Sequence, residues 1–268
     1  ISVAGGKTNR VSFRPAGASP WGELSARGAN ASLVVRQADI SGGQTAVFDG
    51  ATALLEDAYL HDYLPPATLT LSNQPVLLTR FAGPVTIRRC HFQRYYQTQC
   101  QHTRLLVEDS LFETMEGTAL GVEAGGSGSV IRRCTFRHGH GGGGTGLEIK
   151  NDGTSISSDI QVESCLVYDF PLGRGISIGG AARNIGLTNC LIYGCQDGAS
   201  VADSATAGLF NSTLVHCDTG FRASEQTPGQ GAGKLTNGFN NLIWHNSFGI
   251  RSLSNSFVLL HHSDVQDK

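Results

Sequence analysis

The chain has one methionine among 268 residues, no run of 18 or more apolar residues, and no excess of either charge, with 20 basic side chains against 22 acidic ones. The missing apolar run argues against a transmembrane helix, and so against membrane insertion. The balanced charge removes the electrostatic footprint of a nucleic-acid binder or of a protein drawn to an anionic bilayer. Seven cysteines are present without a Cys-x-x-Cys pair or a paired Cys-His spacing, so no structural metal site is indicated. Also absent is a tight group of three or four carboxylates of the kind Ca²⁺ requires: Asp152, Asp203 and Glu225 each stand alone in a turn. No cofactor is therefore expected, and Ca²⁺ is the one candidate the scattered acids leave.

What the sequence has in quantity is glycine, 35 residues of it, and a repeated phrase. Residues 174–197 (RGISIGGAARNIGLTNCLIYGCQD) and 198–219 (GASVADSATAGLFNSTLVHCDT) can be laid over one another almost residue for residue. Each holds the pattern apolar-x-x-small-x-apolar, which recurs along nearly the whole chain about every 25 residues. Its first position falls at Val35, Leu55, Ile87, Val107, Ile131, Val162, Leu187, Phe210, Phe239 and Leu260. Its last falls at Ile40, Leu60, Phe92, Phe112, Phe136, Val167, Ile192, Val215, Trp244 and Val265. The small position reads Ala38, Ala58, Cys90, Ser110, Cys134, Cys165, Cys190, Thr213, Leu242 and Ser263.

The apolar runs are short, alternate strictly and favour Val, Ile and Phe, so they predict strands rather than the helices of an α-solenoid. Like strands of successive repeats then stack in parallel at roughly 4.8 Å. The expected fold is all-β: a single-stranded right-handed parallel β-helix, a solenoid of about ten rungs.

One domain over 1–268 is expected, with 1–30 as an N-terminal capping turn and 31–268 as rungs. Within the cap, Trp21 is expected to cover the open end of an incomplete first turn. Ile1 follows neither a Met nor a charged leader, so the chain is read as excised from a longer, processed polypeptide with neighbouring domains. The segment 61–75 contains the adjacent prolines Pro65 and Pro66 and is expected to leave the stack as a loop. Tyr59, Tyr63, Tyr95 and Tyr96 lie near it and offer rings on which sugars could stack, with simple packing as the plainer reading.

Cys90, Cys134, Cys165 and Cys190 share one inward column at the turn between the second and third apolar positions, where Asn is the common occupant in β-helices. Stacked side chains there have near-parallel Cβ vectors, a poor disulfide geometry, so free thiols are expected. Cys195 and Cys217 precede the rung-opening Gly198 and Gly220, and a disulfide between them is left open.

Alternation along the strand after each rung-opening glycine sets what faces solvent. One outward column reads Gly121, Glu148, Ser177, Ser200, Arg222 and Arg251, and its neighbour reads Glu123, Lys150, Gly179, Ala202 and Ser224. This is a surface with acids at one end, bases at the other and small side chains between, suited to an extended polymer. Glu123, Glu148 and Lys150 are the catalytic candidates: the two acids would be diagonal neighbours at about 8 Å, within the spacing of an inverting glycosidase pair. The plainer reading is an ion pair between Glu123 and Lys150. Lyase chemistry on a uronate polymer would need a cation and a base, for which Lys150, Arg222 and Arg251 are available. Ser177, Ser200, Arg222 and Arg251 are the substrate-binding candidates. His138 and His140, on a glycine-rich turn, suggest a weaker metal or acid–base site with Glu148. His216 and His245 are expected to stack on the surface.

The rungs at 146–165 (GLEIKNDGTSISSDIQVESC), 175–190 (GISIGGAARNIGLTNC) and 198–213 (GASVADSATAGLFNST) resemble the right-handed β-helix repeat modules of secreted bacterial proteins, including modules beside spore-coat-protein-H-type domains. The resemblance covers residues 118–250. Such modules carry runs of outward acids that are reduced here to Glu123 and Glu148, and a lysine of the fourth matching stretch is replaced by Ala202. In architecture the group is similar to pectate lyases, polygalacturonases and alginate epimerases, whose catalytic motifs are not intact in this chain.

The resemblance and the outward face together imply an extracellular or cell-surface module that recognises polysaccharide. If it cleaves its polymer, an acidic or plant/algal-type polysaccharide would be cut by lyase or hydrolase chemistry. The alternative is a non-catalytic structural or adhesive spacer of a larger surface protein.

Overall fold

The computed structural model describes residues 2–6, 9–17, 21–28, 30–49, 52–63, 74–79, 85–140 and 143–266. They form short strands that pair only in parallel, each with its counterpart one turn earlier and one turn later. Three faces result. A first face stacks eleven strands from Ser2–Ala4 to Phe257–Val258. The second and third faces share a sheet, because strands Leu166–Ile178 and Leu191–Ala202 run without a break from one to the other. The described residues complete ten three-strand turns and begin an eleventh.

The inward files are those the repeated phrase foretells. On the first face Val35, Leu55, Ile87, Val107, Ile131, Val162 and Leu187 stand in register, each at most 1% exposed. On the second face the rings of Phe92, Phe112 and Phe136 stack at 4.6 and 5.0 Å between centroids. Two rungs depart from the expected phase by one residue. Leu209, Ser212 and Leu214 take the inward places assigned to Phe210, Thr213 and Val215. Gly238, Asn241 and Ile243 take those assigned to Phe239, Leu242 and Trp244. Adjacent apolar residues made both phases readable, and the backbone decides between them. At the corner between first and second faces, the residue before the small side chain has φ between 47° and 56° at all ten corners from Gln37 to His262. Asn211 and Asn240 fill that left-handed position well, since asparagine tolerates it better than most residues.

The small column past each corner is a hydrogen-bond ladder. Backbone N–H groups of Cys90 and Cys190 donate to the hydroxyls of Ser110 and Ser212, each at 3.1 Å, and the N–H of Ser212 donates to Asn241 Oδ1 at 3.0 Å. Where cysteine stands in the column, the thiol reaches a carbonyl of the turn below: Cys134 to Val107, Cys165 to Ile131 and Cys190 to Val162, each at 3.7 Å. All seven cysteines are free and buried, Cys195 and Cys217 included. Burial pushes the Cys90 and Cys190 thiols up to about 12, so they stay protonated and unreactive.

The first turn is complete rather than partial: Ser2–Ala4, Val11–Phe13 and Trp21–Arg27 each pair with a strand of the second turn. The Trp21 indole donates to the Ser41 carbonyl at 2.7 Å and lies against Gly43. The proposed loop at 61–75 falls mostly on residues outside those described. Two of the four tyrosines near it belong to the core: Tyr63 is 2% and Tyr95 0% exposed, the latter donating to the Ala119 carbonyl. The Tyr59 ring is already stacked against His61 at 4.1 Å and His91 at 4.7 Å.

Outside the corner, opposite charges alternate up the stack. Arg88 pairs with Glu56 at 2.6 Å, Arg89 with Asp57 at 2.8 Å, Arg132 with Glu108 at 2.7 Å and Arg133 with Asp109 at 2.7 Å. Hydrogen bonds from Arg88, Arg89 and Arg133 hold Glu56, Asp57 and Asp109 below their ordinary values of 4.5, 3.8 and 3.8. Carboxylates with lowered folded-state pKa stabilise the fold fully above their unfolded values, and that contribution is lost as the pH falls through the folded ones. Thermal stability should therefore be level from about pH 7 to 5 and decline below about pH 4. The double variant Glu56→Gln/Asp109→Asn should melt earlier at pH 7 and show a flatter acid limb; an unchanged limb would deny the ladder this role.

Candidate functional site

From its fifth turn upward the third face is built from Thr118–Glu123, Thr145–Lys150, the second half of Leu166–Ile178, the second half of Leu191–Ala202, Thr219–Ser224 and Phe248–Ser252. Strict alternation sends Leu120, Val122, Leu147, Ile149, Ile176 and Ile178 into the core, all at most 1% exposed. Their neighbours point outward in the expected register, Gly121 beneath Glu148, Ser177, Ser200, Arg222 and Arg251, and Glu123 beneath Lys150.

The three catalytic candidates meet. Lys150 Nζ lies 3.1 Å from Glu123 and 3.0 Å from Glu148, and Glu123 also accepts from the Gln101 amide at 2.7 Å. Partial burial of the ammonium opposes its charge, but Glu148 and then Glu123 outweigh that and hold the amine above its ordinary value. Such a lysine stays charged at neutral pH and cannot take a ring proton. Between the two carboxylates, the place an attacking water would need is filled by the ammonium. This arrangement can bind hydroxyl groups, since the carboxylates keep free acceptor positions.

Of the substrate-binding candidates, Ser177 lies on a cleft floor, whereas Ser200 is 1% exposed and hydrogen-bonds Ser177 at 3.4 Å, out of reach of a surface ligand. Arg222 is committed to the buried Asp197 at 2.8 Å, and the Arg251 guanidinium sits 4.5 Å over the Phe248 ring. Turn 225–233 is tied down by two acids: Asp203 of the preceding coil accepts from the backbone N–H of Gln226 and Thr227, and Glu225 from those of Gly229 and Gly231. Arg174 reaches over the face to Gln226 Oε1 at 3.1 Å and Ser177 Oγ at 3.4 Å.

Two clefts follow from this relief, and Glu148 with Lys150 lines both. The lower, about 340 Å³, is bordered by Gln97, Gln99, Thr118 and Glu123. The upper, about 350 Å³, is bordered by Asn151, Arg174, Gln226 and Gln230 over a floor of Ser177, Gly179 and Gly180. Sequence reading missed the amides. Gln99 was within reach of it, because QTQCQ at 97–101 alternates and Gln99 stands directly below Gly121. Gln226 and Gln230 gave no signal, lying in a turn without periodicity.

The histidine-centred alternative does not assemble. His138 pairs with Asp169 at 2.7 Å on the next turn, while Glu148 is engaged by Lys150. Among the described residues no group of three His, Cys, Asp or Glu side chains is placed to hold a metal. Asp152 accepts the N–H groups of Ser155 and Thr154 and pairs with His102 at 2.7 Å; those bonds hold its carboxyl well below the usual range. His216 and His245 stack in parallel, 5.4 Å apart.

A coil of parallel strands with a polar groove down one flat side defines the class as a right-handed β-helix protein. The chain belongs to the family described as right handed beta helix region, whose model matches residues 74–229 and 120–267. Among solved structures it is similar to the A-modules of two mannuronan C-5 epimerases of Azotobacter vinelandii. For AlgE6 the identity is 10% and the TM-score 0.61, covering 98% of this chain and 82% of that one. For AlgE4 they are 13% and 0.58, covering 99% and 83%. The periplasmic alginate epimerase AlgG is similar at 9% identity and a TM-score of 0.51, covering 86% of this chain and 77% of the other. At these identities the likeness shows the shared fold. No curated protein matches the chain in sequence.

Proposed function

We propose that this β-helix is a polysaccharide-recognising module that works outside the cytoplasm, at the cell surface or beyond it, and takes an extended glycan along its third face. The observation that carries the reading is the pair of clefts joined over Glu148 and Lys150, which together make one polar groove parallel to the coil axis. A turn spacing of roughly 4.8 Å repeats along that groove, close to the length of one sugar ring. Epimerases that share the fold act on mannuronan and alginate by their names, which agrees with a polymer on this architecture, while the choice of polymer rests on the groove itself.

In this reading Glu123, Glu148 and Lys150 bind rather than cleave. Both acids are engaged by the Lys150 ammonium, which fills the space between them, and the charged amine cannot act as a lyase base. Ser177 contributes from the floor, and Arg222 and Arg251 continue the face beyond the upper cleft.

Titration of the chain with a panel of polysaccharide fragments by calorimetry tests the proposal. At least one fragment should bind, and Glu148→Ala/Lys150→Ala should weaken it by about tenfold or more, the worth of one to two charge-assisted hydrogen bonds. Incubation with uronate polymers should yield no unsaturated product by ultraviolet absorbance. Failure of every fragment to bind would favour a structural spacer instead.

A further inference from the structure

We infer that the groove selects a neutral, hydroxyl-rich chain over a polyuronate, an inference that rests on the reading that this face binds glycan. Five charged side chains line the two clefts, and carboxylates outnumber cations: Glu123, Glu148 and Asp203 against Lys150 and Arg174. Neither cation is waiting for an anion. Lys150 already bridges two acids at 3.0 and 3.1 Å, and Arg174 is spent on Gln226, Ser177 and, at 3.8 Å, Asp197. A uronate carboxylate entering beside Lys150 would have to displace one of its partners and remain next to both negative charges. Like charges this close, on a face partly shielded from water, repel strongly.

Hydroxyl groups meet no such obstacle. Each both donates and accepts, as do the amides that border the groove, Gln97 and Gln99 below and Asn151, Gln226 and Gln230 above. Glu148, whose bond to Lys150 uses one of about four acceptor positions, can receive a vicinal pair of sugar hydroxyls. Among the described residues no Trp, Tyr or Phe lines either cleft, so recognition falls to hydrogen bonds rather than to ring stacking. Arg222 and Arg251 do not reverse this balance, because both lie outside the two clefts, one locked to Asp197 and the other over Phe248.

The test compares hexasaccharides of matched length by calorimetry on the intact chain: neutral gluco-, manno-, xylo- and galacto-series against oligogalacturonate and oligomannuronate. At least one neutral series should bind about tenfold or more tightly than either uronate, the worth of one lost charge-assisted contact. That binding should change less than about twofold between low and high salt, because no net charge is screened. Glu148→Gln, checked for an unchanged circular dichroism spectrum and melt, should weaken the neutral ligand and strengthen the uronates, since it removes a repelling charge and frees Lys150. Tighter uronate binding that fades with salt would overturn the inference and leave the glycan groove standing. Binding of neither class would remove both.

Discussion

Leu187→Asp is expected to abolish the cooperative melt of the parent chain. Leu187 is fully buried, with Val162 one turn below it and Leu209 one turn above. The substitution forfeits about 1.5–3 kcal/mol of apolar burial. It also strands a carboxylate among aliphatic side chains, which costs several kcal/mol more because no partner is within its reach. The loss approaches the whole stability of an ordinary domain, about 5–15 kcal/mol. A solenoid spreads such damage, since each turn is held chiefly by its two neighbours. Circular dichroism and calorimetric melts check this. The neighbouring Thr188→Lys, on the outward side above Glu163, is the control and should stay within about 0.5 kcal/mol of the parent. A Leu187→Asp chain that melts like the parent would contradict the stacking of Ile131, Val162 and Leu187.

Gly198→Ala should also be destabilising, for a different reason. Gly146, Gly175, Gly198 and Gly220 form a file in which a Cβ on each would lie 2.5–2.8 Å from the carbonyl oxygen of the glycine one turn above. At Gly198 the distances are 2.6 Å to the Gly220 oxygen and 3.3 Å to Cys217 Sγ. Both neighbours are rigid backbone or buried core, so a methyl group must force adjacent turns apart and lengthen their ladder bonds. Overpacking of this kind costs about 1–3 kcal/mol, and this site should lie at the upper end. Gly179→Ala is the matched control: its Cβ would meet nothing within 4 Å, and urea titration should find it close to the parent.

These two sites mark what a reader of the sequence alone could and could not have known. Leu187 was legible, because strict alternation and a repeat of about 25 residues leave one inward place for it. The rung-opening glycines were visible as a motif, but the carbonyl above each is a fact of three-dimensional approach. The phase error at Phe210 and Phe239 arose where two apolar residues sit side by side, so periodicity was satisfied twice and only the left-handed turn at Asn211 and Asn240 separated the answers. For the site, the columns through Gly121, Glu148 and Ser177 were readable from alternation, as was the closeness of Glu123 to Lys150. The burial of Ser200 was not, since alternation gives the direction of a side chain and not its exposure. Tyr63 and Tyr95 misled for a related reason: a polar-tipped ring serves the core or the surface equally well until its hydroxyl partner is known.

The left-handed corner between the first and second faces has one further consequence. It is built the same way at every level from Gln37 to His262 whatever side chain occupies it, and from Gln37 onward variation in segment length is confined to the other two edges. One edge of the molecule is thus a uniform seam along which a whole coil can be excised or duplicated with its joints intact. The reach of the binding surface along a polymer is therefore adjustable in discrete steps, a coil at a time, independently of the loops that decide which polymer is held.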